Sequence, residues 1–370
     1  MSKKKVLFLS AANSIHTVRW VNALSESYEI HLVYCKNHVP SIDSINGKVV
    51  LHQLKYKSPF GYYSNARELN NIYNSIKPDI INVHYASGYG TLARIAKLPN
   101  ILLSIWGSDV YSFPQQSKLK RNILIRNVMY ADCIASTSQI MSEQLKKIVP
   151  NINKKIYITP FGVDVNKFKK MNIERLDDDF NIGNIKSLEL NYGIEYLILG
   201  VEDLINKLKK EHKCILASKI KLYIYGAGSQ KDYLDKLIKS HDLGNNVFLM
   251  GKIPNDTVPA ALNRFDVFCV TSLCESFGVS VVEAMACEVP VIATNVDGFS
   301  EIIDNKKDGI LIDKADFNSV SIALEKMLKD SKLRKQYGKN GRKKVLNNFD
   351  WEKNVAYMKS IYNSMLKRRN

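Results

Sequence analysis

Two carboxylates eight positions apart, Glu275 and Glu283, are the residues whose types and spacing most readily do chemistry. The apolar run Val267 to Val270 reads as a strand, TSLCESFG as the loop above it, and VSVVEAMACE as the helix that follows. Glu275 then falls in the loop, and Glu283 about one turn into the helix. The helix start at Gly278 and Val279 offers backbone N–H groups without intrahelical partners, and the positive end of the helix dipole, to an anion. A loop carboxylate, a phosphate-cradling helix start and a second carboxylate below it can hold a sugar, a diphosphate and a ribose in series. The same spacing also fits a surface loop followed by a helix whose early acid is favoured by the dipole alone.

Two other motifs carry less. Gly226-Ala227-Gly228 is similar to a dinucleotide fingerprint, but the third glycine is missing and the motif sits at a second strand instead of opening a βαβ unit. Asp177 to Asp179 is similar to a metal-binding Asp-x-Asp but lies in a charge run that reads as a solvated turn. No metal is therefore expected.

The elements that must position these residues follow from the pattern of the chain. Its 370 residues suit two domains, and 45% hydrophobic with 24% charged content is that of a globular protein. No stretch approaches the roughly 18 apolar residues of a membrane helix. The Met-Ser-Lys-Lys-Lys start reads as a basic lead-in to a first strand, not a signal peptide, so a cytoplasmic protein is expected. Six cysteines, at 35, 133, 214, 269, 274 and 287, form no CxxC pair and read as buried free thiols.

Short Val/Ile/Leu/Phe runs alternate with amphipathic stretches, the pattern of parallel sheets wound with helices. Strands are expected at Val6–Leu9, Ile30–Tyr34, Ile80–Val83, Ile101–Ile105, Cys133–Ser136 and Ile156–Thr159. A second set is expected at Phe180–Ile185, Lys221–Tyr225, Val247–Met250, Val267–Val270, Val289–Ala293 and Gly309–Ile312. Helical spacing marks Thr17–Leu24, Asn65–Ile76, Met141–Ile148 and the end from Trp351. The charged stretch from Val165 to Asp179 lacks an apolar face and reads as a linker. Expected domains are thus 1–165 and 180–350, joined by a linker at 166–179, with 351–370 as a terminal helix.

The formal charge is +17, and it is uneven. Residues 1–170 carry 23 Lys and Arg against 9 Asp and Glu, a balance of +14, which leaves +3 for the rest. Such a field attracts polyanions, although a lysine-rich solvated surface would look the same. No nucleic-acid motif accompanies it, so nucleic acid is not expected as a partner.

The segment ESFGVSVVEAMACEVPVIAT resembles the Glu-seven-residues-Glu signature of the retaining glycosyltransferases of family 4. PFGVDVNKF (160–168), IGNIKSLELNYGIEYLI (182–198), YIYGAGSQ (223–230), FLMGKIPNDTVPAAL (248–262) and DGFSEIIDNKKDGILI (297–312) match in order. The resemblance covers nearly the whole chain and is that of a bacterial polysaccharide or glycolipid-type member. It implies an α/β fold of the GT-B type, two Rossmann-like domains with parallel sheets facing a central cleft. In that arrangement the terminal helix crosses back to the first domain.

Carried over position by position, Glu283 would bind the donor ribose and Glu275 would sit against the donor sugar. Phe277, Gly278 and Val279 would present backbone N–H groups, and Lys186 would stabilise charge on the leaving oxygen. Gly226, Lys252 and Ile253 complete the implied donor site. Many relatives have a second basic residue before the position of Gly193; Asn191 and Tyr192 stand here instead. In the first domain, SAANSIHTVRW lacks the usual glycines, and Asn13 and His16 are candidates for substrate contact or for structure. SIWGSDVY resembles a loop that usually reads His-Gly-x-Asp, with Trp106 in the His place, an aromatic plate suited to stacking on a sugar. Asp109 either bonds an acceptor hydroxyl, which would make it catalytic with Glu275 and Lys186, or caps the following turn. His84, ending a strand, is a further cleft candidate.

The expected activity is retaining transfer of a hexose or N-acetylhexosamine from a nucleotide sugar, with UDP the usual carrier. The acceptor would be a hydroxyl on a lipid-linked or polysaccharide precursor at the inner face of an anionic membrane, with no metal or other cofactor. The alternatives are a nucleotide-sugar epimerase on the same scaffold and a non-catalytic sugar-nucleotide-binding protein.

Overall fold

A computed structural model describes residues 3–42, 44–173 and 178–367. The chain divides into two compact units, residues 1–161 with 352–370, and residues 162–351.

The first unit is built on strands β1 (Lys5–Leu9), β2 (Glu29–Cys35), β3 (Val49–Leu54), β4 (Ile80–His84), β5 (Ile101–Ile105), β6 (Cys133–Ser136) and β7 (Ile156–Ile158). They form one sheet in the order β3-β2-β1-β4-β5-β6-β7, every pair parallel. Central strands of a parallel sheet are covered on both faces, which is why β4 (IINVH) and β5 (ILLSI) read as mostly apolar runs and are buried at every position. Edge strand β3 does not appear among the expected strands. Its VVLHQL sequence is buried only at its two ends, so it carries no continuous apolar run. The terminal helix Trp351–Lys367 packs on this unit. Its buried Tyr362 meets Tyr28 edge-on at 5.5 Å and donates its hydroxyl to Asn82 Oδ1 at 3.4 Å.

The second unit contains β8 (Phe180–Ile185), β9 (Ile220–Tyr225), β10 (Val247–Gly251), β11 (Val267–Val270), β12 (Val291–Thr294) and β13 (Gly309–Ile312). Their order is β10-β9-β8-β11-β12-β13, again parallel throughout. Helices Ile194–Lys210 and Phe317–Lys329 cover one face so closely that a Cβ on Gly200 would lie 2.6 Å from Val320.

Two expectations are corrected. The described part of the 166–179 stretch is no loose linker. Phe168 is buried, and Arg342 donates through Nη1 to the Phe168 carbonyl (2.6 Å) and through Nη2 to that of Val165 (2.9 Å). Asn263 adds a bond to the Lys169 carbonyl at 2.9 Å and accepts from the Met171 amide at 2.7 Å. A distant guanidinium and amide thus supply contacts that local sequence does not reveal. Residues 174–177, including Asp177, lie outside the described residues. Of the six cysteines four are buried, but Cys214 and Cys274 are exposed.

Both sheets reverse direction of winding once, between β1 and β4 in the first unit and between β8 and β11 in the second. In doubly wound sheets the crevice outside the carboxyl ends of the strands at such a reversal is where ligands bind.

Candidate active site

Lys186 follows the last residue of β8, and its amide donates to the Tyr225 carbonyl at 3.0 Å. Its ammonium pairs with the Glu275 carboxylate, which rises from the loop after β11; the two side chains are 12% and 14% exposed. The β8–β11 adjacency brings this pair together across the reversal of the second sheet. The ammonium also lies 4.6 Å from the Tyr192 ring centroid and 5.8 Å from that of Phe299, so two π faces share the cation.

The Glu275 loop is held along its length. Thr271 Oγ1 donates to the Gly193 carbonyl (2.8 Å), the Leu273 amide to the Asn191 carbonyl (2.8 Å), and Thr294 Oγ1 to the Ser272 carbonyl (2.6 Å). The Gly298 amide donates to the Glu275 carbonyl at 3.0 Å, and a Cβ there would sit 2.6 Å from the Phe277 nitrogen. Only glycine allows that approach. Gly226 has the same role on the other side, where a Cβ would stand 1.8 Å from the Lys186 carbonyl oxygen. Gly278, at φ +96, opens helix Val279–Ala286, whose first turn leaves amides for an outside acceptor. Phe277 is buried edge-on against Phe349 at 5.7 Å, and Glu283 is half-buried, fifth in the helix. Lys252, exposed, and Ile253, half-buried, follow β10, two strands and roughly 10 Å from β8.

Sequence reasoning missed Tyr192 as a partner of Lys186, having noted only the absence of a basic residue there. It also missed Ser272 and Ser280, whose hydroxyls are buried beside the loop with no hydrogen-bond partner among the described residues. No sequence signal separates such serines from ordinary ones.

At the β1/β4 reversal the chemistry is different. Ser10 Oγ lies 2.7 Å from Thr17 Oγ1 and 3.0 Å from His84 Nδ1, all three buried. Trp106 is surrounded by rings: His84 at 4.1 Å, Tyr85 at 5.2 Å, Phe161 at 5.5 Å and His16 at 5.8 Å. His16 itself stacks on Phe161 at 3.8 Å, and its Nδ1 is buried without a partner among the described residues. Burial, helped by Arg19, lowers the His16 pKa to about 4; burial, helped by His16, lowers that of His84 to about 3.

Three expectations for this unit are corrected. Asp109 does not cap the turn that follows: it is 1% exposed, and its oxygens accept from the amides of Ala86 (2.9 Å), Trp106 (3.1 Å) and Gly107 (2.9 Å), all earlier in the chain, so it braces the loop that leads into its own short helix. Desolvation raises its pKa, against the opposing pull of those amides. Trp106 is not an open plate, because protein rings already cover it. His84 is buried and held by Ser10, so it presents no surface to a ligand. Asn13 remains exposed in the loop after β1, and His16 is half-buried.

Family models match both units. The model for glycosyl transferases group 1 matches residues 166–344, and the one for glycosyl transferase 4-like proteins matches residues 5–138. Both are models of glycosyltransferases, and the chain is a glycosyltransferase. Among curated relatives of this glycosyltransferase, N-acetyl-alpha-D-glucosaminyl L-malate synthase of Bacillus anthracis is 26% identical over 78% of this chain and 75% of its own. The capsular polysaccharide biosynthesis glycosyltransferase CapM of Staphylococcus aureus is 30% identical over 57% of this chain and 53% of its own. Among solved structures, Anabaena HepE in complex with UDP and glucose superposes with a TM-score of 0.75 at 16% identity, over 98% of this chain and 100% of its own. The fold is of the GT-B class, an α/β chain of two parallel-sheet, Rossmann-like domains. The epimerase alternative finds no support in these matches.

Proposed function

We propose that this glycosyltransferase moves a hexose or N-acetylhexosamine from a UDP-sugar to a hydroxyl of a polysaccharide precursor or lipid-linked glycan, with retention and without a metal. The observation that carries the reading is the Lys186–Glu275 pair at the β8/β11 reversal, beside the open turn of helix Val279–Ala286. A cation next to unpaired amides is what a departing diphosphate needs, and Glu283 lies where the donor ribose would reach the same helix. Among the described residues no group of three His, Cys, Asp or Glu side chains is placed to hold a metal ion. Lys186 and the helix start would supply the positive field instead. The UDP of the HepE complex supports the donor class and the capsular polysaccharide named for CapM the acceptor class, whereas the Bacillus anthracis relative is named for a small glycoside of L-malate.

In the proposed step the acceptor oxygen bonds to the anomeric carbon on the face from which the diphosphate leaves. The carbon–oxygen bond to phosphate breaks, and the leaving phosphate oxygen takes the acceptor proton. The protein's work is leaving-group stabilisation and exclusion of water, and no protein base is required. The basic first unit adds peripheral contact with an anionic membrane on the cytoplasmic side, which suits a lipid-linked acceptor. Among the described residues no helix is long and apolar enough to cross a membrane.

The test is a panel of nucleotide sugars screened by thermal stabilisation, then nucleotide release and the anomeric NMR signal of the product, with and without a chelator. Release of UDP, a product with the donor's anomeric configuration and indifference to the chelator are expected. An inverted product or chelator-sensitive turnover sinks the mechanism, and donor conversion without acceptor sinks the transferase reading.

A further inference from the structure

We propose that the first unit meets anionic lipid through one platform at the carboxyl ends of β2 and β3, where Tyr56, Phe60 and Tyr63 stand among Lys36, Lys55 and Lys57. The inference rests on the membrane contact proposed above and names the surface that makes it. Phe60 is 66% exposed and Tyr63 53%, large rings left in water three positions apart. Tyr56 meets Phe60 edge-on at 5.6 Å, and the Lys55 ammonium lies 5.4 Å from the Tyr56 ring centroid.

The backbone that carries the rings is held by a hydrogen-bonded frame. Asn65 grips the Tyr56 backbone twice, accepting from its amide and donating to its carbonyl, each at 3.1 Å. Asn37 accepts from the Ser58 amide and donates to its hydroxyl, each at 2.8 Å, which ties the loop after β2 to the loop after β3. His38 bridges the Tyr89 hydroxyl (2.7 Å) and the Ser58 hydroxyl (3.1 Å). Gly61 closes the turn, since a Cβ there would lie 2.5 Å from the Tyr56 carbonyl oxygen. The frame thus fixes the backbone of the turn that carries Phe60.

Charge selects the occupant. Lys36, Lys55 and Lys57 flank the rings against one nearby acid, Glu68, which accepts from the Lys55 amide at 3.0 Å. Aromatic rings at headgroup depth, flanked by lysines that reach phosphate with their stems along the apolar layer, are the side chains that an anionic bilayer surface favours.

The experiment is co-sedimentation of the full chain with vesicles of phosphatidylcholine alone or with phosphatidylglycerol, at low and high salt. Salt-sensitive binding to the anionic vesicles alone is expected. Lys55→Gln with Lys57→Gln should weaken it roughly 10- to 30-fold at about fivefold per lysine, and Phe60→Ser about tenfold. UDP-induced thermal stabilisation should be unchanged in each variant, which separates this surface from the donor site and reports folding. If the wild type ignores anionic vesicles, the membrane contact itself is overturned, as it is if the same residues prove to bind only RNA or an acidic protein. If the wild type binds and the variants bind equally well, the platform is overturned and the membrane contact stands.

Discussion

The two sheet reversals share a topology and differ in what they place there. At β8/β11 an ammonium and a carboxylate pair beside a helix start, and the surrounding glycines let backbone approach them closely. At β1/β4 the corresponding space holds aromatic rings, two histidines kept neutral by burial, and a carboxylate consumed by backbone amides. One scaffold therefore serves two physical roles: the second unit sets a charged pair at its reversal, and the first lines its own with rings. Fold alone would not have told them apart.

The sharpest way to break that comparison is to remove the charge from the second unit. Lys186→Ala should lower kcat roughly 10²- to 10³-fold, about 3–4 kcal/mol of lost leaving-group stabilisation, with UDP affinity changed much less. Glu283→Ala should show the reverse pattern, weaker UDP binding with a smaller fall in kcat, if it serves the ribose. Nucleotide-release kinetics read both, and wild-type turnover in Lys186→Ala would falsify the assignment of charge handling to this pair.

Asp109 sharpens the other side. Its carboxylate satisfies three buried amides, so Asp109→Ala should cost about 3 kcal/mol of stability of the first unit through unsatisfied N–H groups. Urea unfolding followed by tryptophan fluorescence measures it. A catalytic Asp109 would instead lose turnover with its stability intact.

The histidines predict a smaller, pH-dependent effect. Their folded pKa values of about 4 (His16) and about 3 (His84) lie below the unfolded value near 6.5, so the unfolded chain binds more protons as pH falls below about 6.5. Stability of the first unit should therefore drop with pH from about 6.5 toward 4, by about 1.4 kcal/mol per pH unit and per histidine. Burial lowers the pKa of His38 and, with His31 adding, of His52, and both act in the same direction. Asp109, raised by burial, opposes the trend in the acid range. His16→Gln should remove its share of the slope between pH 7 and 5. An unchanged slope means that His16 is already charged in the fold.

Much of the sheet architecture was legible because buried parallel strands announce themselves as apolar runs, as β4, β5 and β11 do. Strand β3 was not, because an edge strand need bury only part of itself. Glu275 and Lys186 were recognisable one by one through their local motifs, but their pairing was not, since 89 residues separate them and only the β8–β11 adjacency joins them. The role of Asp109 was undecidable from SIWGSDVY, which serves equally for a substrate contact and a cap. Its bracing of three earlier amides was not legible there, since the Ala86 amide comes from 23 residues away.

Tyr192 offers the finest test of how the charged site is tuned. Where the family resemblance implies a second cation, this chain sets a ring 4.6 Å from the Lys186 ammonium. A second cation would repel Lys186 and add field at the diphosphate, whereas a ring holds Lys186 in place without adding charge. Tyr192→Leu keeps the volume roughly and removes the ring face, so Lys186 loses about 0.5–1 kcal/mol of positioning. The expected result is a two- to fivefold rise in KM for the donor, with kcat nearly unchanged once donor is saturating. Tyr192→Lys should act in the opposite sense on the diphosphate, tightening UDP binding while making it more sensitive to salt. If Tyr192→Leu lowers kcat as far as Lys186→Ala does, the ring is part of the transition-state contacts, and the division between a positioning ring and a charge-bearing lysine fails.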